Sequence, residues 1–200
     1  MSALHGPTKT TDEYLSEMGY SLSDEYARAV EWAAIPAGAS VFDAATGPGR
    51  MTRVLLERDC QVISGDIDRQ RLDALKSSPP FSGNPRLHLI HLNLDSLGFR
   101  DQCFDHIVCA NALHELKHPD AVLCELLRVY SGRGKLVLID FTEQGFSVIE
   151  EVVRLRHGKG HSIHGTMSRE ATKIFLKDHL IDLEEIDLPL NWVHMASGKR

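Results

Sequence analysis

The stretch SVFDAATGPG, residues 40–49, decides the fold of this protein. An apolar run leads to Asp43, and small residues and two glycines separated by Pro48 follow it. Glycine and proline at this spacing form a tight turn, where the main chain can lie close to a ligand. A second apolar run, residues 60–63, leads to Asp66. Doubly wound α/β proteins place the acid that binds a ribose about twenty residues after the glycine turn, so the two runs predict a site for a nucleoside-containing cofactor.

The glycine turn resembles the first motif of the class I S-adenosylmethionine-dependent methyltransferases. Asp43, Gly47 and Gly49 match the acid and the alternating glycines of that family, whereas Ala45 stands where the family usually has its first glycine. The residues LGF and FDHIV within 97–108 resemble the approach to the family's fourth strand. The resemblance is clear over residues 35–140 and is one of topology elsewhere.

This resemblance implies an α/β fold of the three-layer, Rossmann-like methyltransferase type. Its sheet is expected to be mostly parallel and seven-stranded, with an antiparallel hairpin at the C-terminal end. The implied cofactor is S-adenosyl-L-methionine. The implied reaction is the transfer of its methyl group to an oxygen, nitrogen or sulfur nucleophile of a small molecule by direct in-line displacement.

Two alternatives stay open at this point. An NAD-dependent or other nucleotide-binding oxidoreductase also has a glycine turn after its first strand, but Thr52 occupies the position of its third glycine, which lets helix and strand pack closely. The carboxylate of Asp43 is unfavourable beside a pyrophosphate and favourable beside an ammonium and a sulfonium, so its charge favours methyl transfer. The second alternative is a non-catalytic, methyltransferase-like binding module.

Composition narrows the class of partner. The chain has 200 residues and a net charge of −6, without a long basic run, which disfavours a nucleic-acid partner. It has no apolar stretch of membrane-spanning length, and its first residues do not form a signal peptide. Its four cysteines lack metal-ligand spacing, and Cys109 is expected to be a buried, reduced thiol. We therefore expect a cytoplasmic enzyme with no membrane partner, and the oligomeric state stays open.

The periodicity of apolar residues predicts strands that alternate with helices, and hence a parallel sheet with right-handed crossovers. Residues 1–200 are expected to form one domain, with an N-terminal helical cap over residues 1–34 and an insertion near the acceptor site over residues 142–167. Within the cap, a single helix is predicted over residues 14–34. Further helices are predicted at 52–58, 70–76, 120–130, 146–157 and 169–180, and later strands at 87–92, 107–110, 136–140, 183–188 and 192–197.

Ligands of open α/β sheets bind beyond the carboxyl ends of the strands, so the residues that follow each strand are the candidates for the cofactor site. Asp66 is expected to accept hydrogen bonds from the ribose and Ile67 to pack on the adenine. Asn93 stands where the family usually has an acid that reads the adenine amino group, and a plain turn residue is the alternative. The candidate cofactor-binding residues are Asp43, Ala45, Gly47, Gly49, Asp66, Ile67, Asn93, Leu94 and Asn111.

His114, just after the fourth strand and next to Glu115, is the candidate general base, because methyl transfer to a protonated acceptor needs a group that takes the proton. Packing of its ring against the core is the alternative. Asn111-Ala112-Leu113-His114 also differs from the Asn/Asp-Pro-Pro-aromatic motif of enzymes that methylate the amino groups of nucleic-acid bases. A small-molecule acceptor is therefore the first choice and a protein side chain the second.

The acceptor pocket is expected to include Glu143, His161 and His164. The last two belong to a segment rich in histidine and glycine, residues 157–165, which could close over an acceptor. Whether His157, His161 and His164 bind a metal stays open, and no metal is predicted as a cofactor.

Overall fold

The computed structural model describes residues 9–158 and 167–199. Its strands are β1 (Ser40–Ala44), β2 (Gln61–Asp66), β3 (Leu87–His91), β4 (His106–Ala110), β5 (Leu136–Phe141), β6 (Leu180–Asp187) and β7 (Asn191–Lys199). Its α-helices are α1 (Thr11–Glu17), α2 (Leu22–Trp32), α3 (Arg50–Glu57), α4 (Arg69–Lys76), α5 (Pro119–Val129), α6 (Glu143–His157) and α7 (Arg169–His179). A short 3-10 helix spans Leu113–Glu115.

The seven strands form one sheet in the order β3-β2-β1-β4-β5-β7-β6. Strands β1 to β5 pair in parallel, and β7 lies antiparallel between β5 and β6. The strand order reverses between β2-β1 and β4, which is the position where open α/β sheets bind their ligands. The prediction of a mostly parallel seven-stranded sheet with an antiparallel C-terminal hairpin is confirmed.

Helices cover both faces of this sheet, and each interface has its own apolar cluster. On one face, α1, α2, α3 and α6 contribute buried residues such as Leu15, Val30, Leu55 and Val152. On the other face, α5 and α7 contribute a second cluster. The helix predicted over residues 120–130 is present as α5, and five of its apolar side chains are buried: Val122, Leu123, Leu126, Leu127 and Val129. Burying each such side chain stabilises the fold by about 1.5–3 kcal/mol.

The single helix predicted over residues 14–34 is wrong, because the structure has two helices there. Helix α1 ends at Glu17, and Gly19 follows with a φ of +81°. The side chain of Ser21 then accepts a hydrogen bond from the backbone N–H of Asp24 and so caps the beginning of α2. A left-handed glycine and a serine cap end one helix and begin another. Similar apolar spacing on both sides concealed this break.

The predicted helix 146–157 begins three residues earlier than expected, at Glu143. Its N-cap is Thr142, whose side chain accepts a hydrogen bond from the N–H of Gly145. Much of the predicted insertion is therefore this one helix. Of the segment rich in histidine and glycine, only His157 and Gly158 belong to the described residues.

The described residues include neither a membrane-spanning helix nor a cluster of metal-ligating side chains. No helix within residues 9–158 and 167–199 is long and apolar enough to cross a bilayer. In the same residues, no group of three or more His, Cys, Asp or Glu side chains is arranged to hold a metal ion. The four cysteines are free thiols, and Cys109 is buried as expected, which raises its pKa.

Candidate cofactor site and histidine–aspartate pair

The turn that follows β1 adopts a left-handed backbone at three positions. The φ angles are +69° at Ala45, +52° at Gly47 and +82° at Gly49. A β-carbon at Gly47 would have as its nearest neighbour the carbonyl oxygen of Ala45, at 3.9 Å. One at Gly49 would lie 2.7 Å from the ring of Phe81. Gly47 therefore leaves an open side on which a ligand can approach the main chain, whereas Gly49 is required by packing.

Asp66 joins the end of β2 to this turn. Its Oδ2 accepts a hydrogen bond from the N–H of Gly47 at 2.7 Å, and its Oδ1 accepts one from the N–H of Asp68 at 2.9 Å. Each carboxylate oxygen can accept more than one hydrogen bond, so both retain capacity for hydroxyl donors. The adjacent Ile67 is an exposed large apolar residue, with 66% of its surface accessible.

Asp43 lies beneath the turn with only 1% of its surface exposed. Its Oδ2 accepts hydrogen bonds from the hydroxyls of Thr52 at 2.5 Å and Ser64 at 2.8 Å. Its Oδ1 is buried and has no partner within the described residues. Burial raises the pKa of Asp43 to about 6, and the nearby charge of Asp66 adds to the effect. Thr52, which did not fit the oxidoreductase pattern, therefore serves as a donor to Asp43.

Two more candidates follow β3 and β4. Asn111 has a φ of +49°, and both atoms of its side-chain amide are buried without a partner in the part of the chain that is described. Asn93 is exposed, and its Oδ1 accepts a hydrogen bond from the N–H of Asp95, which is the turn arrangement considered as the alternative. Leu94 is buried in the second apolar cluster. The roles of these three residues toward a cofactor stay predictions.

These features fit the cofactor that the resemblance implies. S-adenosylmethionine presents an apolar ring, ribose hydroxyls and a methionine end with an ammonium and a carboxylate. The open side of Gly47, the exposed Ile67 and the carboxylate of Asp66 suit the nucleoside. The unpaired oxygen of Asp43 and the unpaired amide of Asn111 lie at the carboxyl edge of the sheet and offer both donors and acceptors. Buried polar atoms are rarely left unpaired, so these three atoms point to a ligand.

His114 forms a buried pair with Asp140, the penultimate residue of β5. The two side chains are 5% and 4% exposed. Nδ1 of His114 lies 2.6 Å from Oδ1 of Asp140, and the backbone N–H of His114 donates to Oδ2 at 3.0 Å. The N–H of Phe141 also donates to Oδ1, at 2.8 Å. On the other side of the ring, Nε2 lies 3.8 Å from Oε1 of Glu115.

Among the described residues, two aromatic rings lie against the imidazole. The rings of Phe141 and Phe146 each lie 5.3 Å from that of His114. The alternative of a histidine packed in the core is therefore correct as a description of its surroundings. Its pairing with Asp140 nevertheless gives the ring a polar partner that the sequence did not name. The signal was present, because Asp140 follows an apolar run on the strand next to β4, and such residues meet at one edge of a parallel sheet.

Of the three residues expected in the acceptor pocket, the structure describes only Glu143. Glu143 is exposed in the first turn of α6, close in sequence to Phe141 and Phe146. His161 and His164 lie outside the described residues. The acceptor pocket therefore stays a prediction, and the sequence did not identify Phe141 and Phe146 as the rings beside His114.

Comparisons with known proteins agree with this geometry. A family model described as "Methyltransferase domain" matches residues 42–138. The ubiquinone/menaquinone biosynthesis C-methyltransferase of Xylella fastidiosa is 27% identical over 117 residues, which cover 56% of this chain and 46% of that one. The chain thus spans about half the length of the curated relatives it matches.

Solved structures show the same fold at low sequence identity. A SAM-dependent methyltransferase from Aquifex aeolicus, 18% identical, has a TM-score of 0.66 over 94% of this chain and 98% of its own. The cyclase SpnF, 16% identical, has a TM-score of 0.65 over 88% of this chain and 81% of its own. A family model of methyltransferase domains thus matches residues 42–138, and the fold and the turn that joins Gly47 to Asp66 agree with the resemblance to the class I, Rossmann-like, S-adenosylmethionine-dependent methyltransferases.

Proposed function

We propose that this protein transfers a methyl group from S-adenosylmethionine to a small-molecule acceptor. The observation that carries the proposal is the contact between Asp66 and the N–H of Gly47, which brings the acid after β2 to the open turn after β1. Asp66 binds the ribose, Ile67 covers the adenine, and the turn and Asn111 bind the methionine end. The cytoplasmic location expected from the sequence belongs to the same proposal.

When it is bound, S-adenosylmethionine supplies a methyl carbon attached to a positively charged sulfur, which is already an activated leaving group. The protein must then position the acceptor in line, exclude water and take up a proton. The acceptor forms its new bond to the methyl carbon while the carbon–sulfur bond breaks, and the electron pair of that bond stays on sulfur. His114 takes the proton that the acceptor loses. The products are the methylated acceptor and S-adenosylhomocysteine.

Carbon is a further candidate for the acceptor atom, besides oxygen, nitrogen and sulfur. A relative from Xylella fastidiosa is described as a C-methyltransferase of ubiquinone and menaquinone biosynthesis. The rings of Phe141 and Phe146 beside His114 suit a planar, apolar acceptor. We therefore add an activated ring carbon to the acceptor atoms. A protein side chain stays the second choice.

A thermal-shift panel tests cofactor binding. S-adenosylhomocysteine is expected to raise the melting temperature, because a ligand that binds only the folded state stabilises it, whereas NAD should leave the temperature unchanged. The reverse result would restore the oxidoreductase alternative. A rise with neither compound would remove the proposed cofactor.

Methyl transfer is tested with labelled S-adenosylmethionine. The protein is incubated with it and with the small-molecule fraction of a cell extract, and the labelled products are identified by mass spectrometry. We expect label in a small molecule, with one S-adenosylhomocysteine formed for each methyl group. Tight binding of S-adenosylhomocysteine without labelled product from any fraction, proteins included, would instead identify a non-catalytic binding module.

A further inference from the structure

We propose that Asp140 is a positioning residue that holds His114 in the tautomer with its proton on Nδ1, so that Nε2 is the atom that takes the proton of the acceptor. The proposal rests on the proposed function, because it assigns the proton-accepting atom of that reaction. It starts from a feature that the sequence did not reveal, the contact of the His114 ring and of two backbone N–H groups with one buried carboxylate.

The geometry of these contacts favours one tautomer. Oδ1 of Asp140 lies 2.6 Å from Nδ1 of His114, and the same oxygen accepts the N–H of Phe141 at 2.8 Å. An ionised carboxylate only accepts hydrogen bonds, so a contact of this length with an ionised Asp140 places a proton on Nδ1. In the neutral imidazole, Nε2 then carries the lone pair.

The second oxygen of Asp140 orients the histidine as a whole. Oδ2 accepts the backbone N–H of His114 at 3.0 Å, so one carboxylate holds both the main chain and the ring of the same residue. The rings of Phe141 and Phe146 restrict its rotation further. A side chain held by packing and by hydrogen bonds loses little entropy when the transition state forms.

Burial of the pair strengthens the electrostatic stabilisation that Asp140 gives to the protonated imidazole in the transition state. Both side chains are at most 5% exposed, so their electrostatic interaction is weakly screened by solvent. When Nε2 takes up a proton, the imidazolium lies against the carboxylate of Asp140, with Glu115 as a second negative charge 3.8 Å from Nε2. Both charges stabilise the protonated ring, as the acid does in hydrolases with a histidine–aspartate pair.

This arrangement selects a class of acceptor. An imidazole takes a proton efficiently from a weakly acidic group such as a phenol, a thiol or a carbon next to a carbonyl. A neutral amine attacks through its own lone pair and needs no proton removed beforehand. The pair therefore points to a neutral acceptor with an acidic O–H, S–H or C–H group. Its electron pair goes to the methyl carbon and its proton goes to Nε2.

Nuclear magnetic resonance of the whole protein with ¹⁵N-labelled histidine tests the tautomer without any substrate. At about pH 8, the resonances of His114, assigned by their loss in His114→Gln, are expected to show a protonated Nδ1 and an unprotonated Nε2. A proton on Nε2 and none on Nδ1 would overturn the proposal. This measurement uses the wild-type chain, so it stands even if variants of Asp140 fail to fold.

The variant Asp140→Asn tests the consequence for the reaction. The amide keeps the shape of the side chain but presents an NH₂ group to three donors, so the population with a proton on Nε2 should increase. We expect kcat to fall roughly 10²- to 10⁴-fold, while the affinity for S-adenosylhomocysteine changes less than about threefold. The control is Asp182→Asn, an exposed acid in β6, which should match the wild type.

These measurements separate the inference from the proposed function. An unchanged kcat in Asp140→Asn would overturn the positioning role. A protonated Nδ1 in a protein that transfers no methyl group to any acceptor would refute the proposed function and leave the tautomer assignment standing.

Discussion

Within the sheet, as seen in residues 9–158 and 167–199, buried polar atoms without partners occur in two places. At the carboxyl edge, they are Oδ1 of Asp43 and the amide of Asn111. In the antiparallel part, they are Oδ1 of Asn191 and both ring nitrogens of His194, all in β7. His194 is fully buried, and its Nε2 lies 3.3 Å from Oε2 of Glu185 but is not aligned for a hydrogen bond. Both places have buried polar atoms without hydrogen-bond partners, but their surroundings differ.

At the carboxyl edge, the turn after β1 leaves open space beside Gly47 and the side chain of Ile67 is exposed, so a ligand can approach this edge of the sheet. His194 pairs in register with Leu138 on one side and Glu185 on the other, and the ring of Trp192 lies 4.6 Å away. Here the unpaired atoms cost stability and point to no ligand. An unpaired buried group therefore indicates a site only where the backbone leaves space beside it.

The largest expected effect is on cofactor binding at the carboxyl edge. Asp66→Ala removes a charged acceptor of the ribose hydroxyls and the support of the Gly47 N–H. Hydrogen bonds to charged groups contribute about 1.5–3 kcal/mol each, so the affinity for S-adenosylhomocysteine should fall about 100-fold or more by calorimetry. His194→Leu is the control and should keep the wild-type affinity. Equal losses in the two variants would contradict the distinction between the two places.

The second prediction concerns acid stability at His194. Burial lowers its pKa to about 4, the nearby Arg169 and Lys173 add to this shift, and Glu185 opposes it. The unfolded chain binds this proton below about pH 6.5, so the free energy of unfolding should decrease by about 3 kcal/mol as the pH falls from about 6.5 to 4. His194→Leu should remove this decrease, so the variant should be more stable than the wild type at pH 5. Urea unfolding at several pH values measures both effects, and parallel pH profiles for the two proteins would refute the prediction.

The third prediction concerns Asp43, whose effect on the free energy of unfolding changes with pH in the opposite direction to that of His194. Because the pKa of Asp43 is raised to about 6, the folded protein holds a proton there that the unfolded chain releases near its ordinary value. This group should therefore lower the free energy of unfolding by about 3 kcal/mol as the pH rises from about 4 to 6. Asp43→Asn should remove that loss and raise the stability at pH 7.

Asp43→Asn also tests how the charge of Asp43 contributes to ligand binding at the carboxyl edge. Removing the negative charge should weaken binding of the cationic S-adenosylmethionine more than that of the neutral-sulfur product, S-adenosylhomocysteine, by calorimetry at pH 7. In the wild type, the contributions of Asp43 and His194 oppose each other between about pH 4 and 6, so each becomes visible only when the other is substituted. An Asp43→Asn protein less stable than the wild type at pH 7 would contradict this account.

The smallest expected effect comes from the backbone. Gly47→Ala places a β-carbon at a φ of +52° on the open side of the turn, at a cost of about 1 kcal/mol in unfolding free energy. Gly19→Ala is the matched control, because it also has a positive φ and open space around it but lies between α1 and α2. Both should destabilise similarly, and only Gly47→Ala should weaken binding of S-adenosylhomocysteine. Equal affinities would show that the open side of Gly47 is not used.

The sequence determined the order of the elements and the turn that positions Asp66, because apolar periodicity and glycine turns are local signals. It missed the break at Gly19 and Ser21, where two short helices share one apolar spacing. The sequence also indicated His114 as a candidate base but gave no partner for it. His114 and Asp140 are far apart along the chain, so no local pattern indicates their contact.

Only the tertiary structure decided which distant side chains meet. It pairs His114 with Asp140, and it brings Glu25 of α2 to the backbone N–H groups of Leu190 and Asn191 at the start of β7. These contacts depend on the order in which the strands pair in the sheet. They also depend on which carboxylates become buried together with hydrogen-bond donors. The apolar runs before His114 and Asp140 place both residues at one edge of the sheet, but they do not select the pair, because burial and pairing are properties of the whole packed chain.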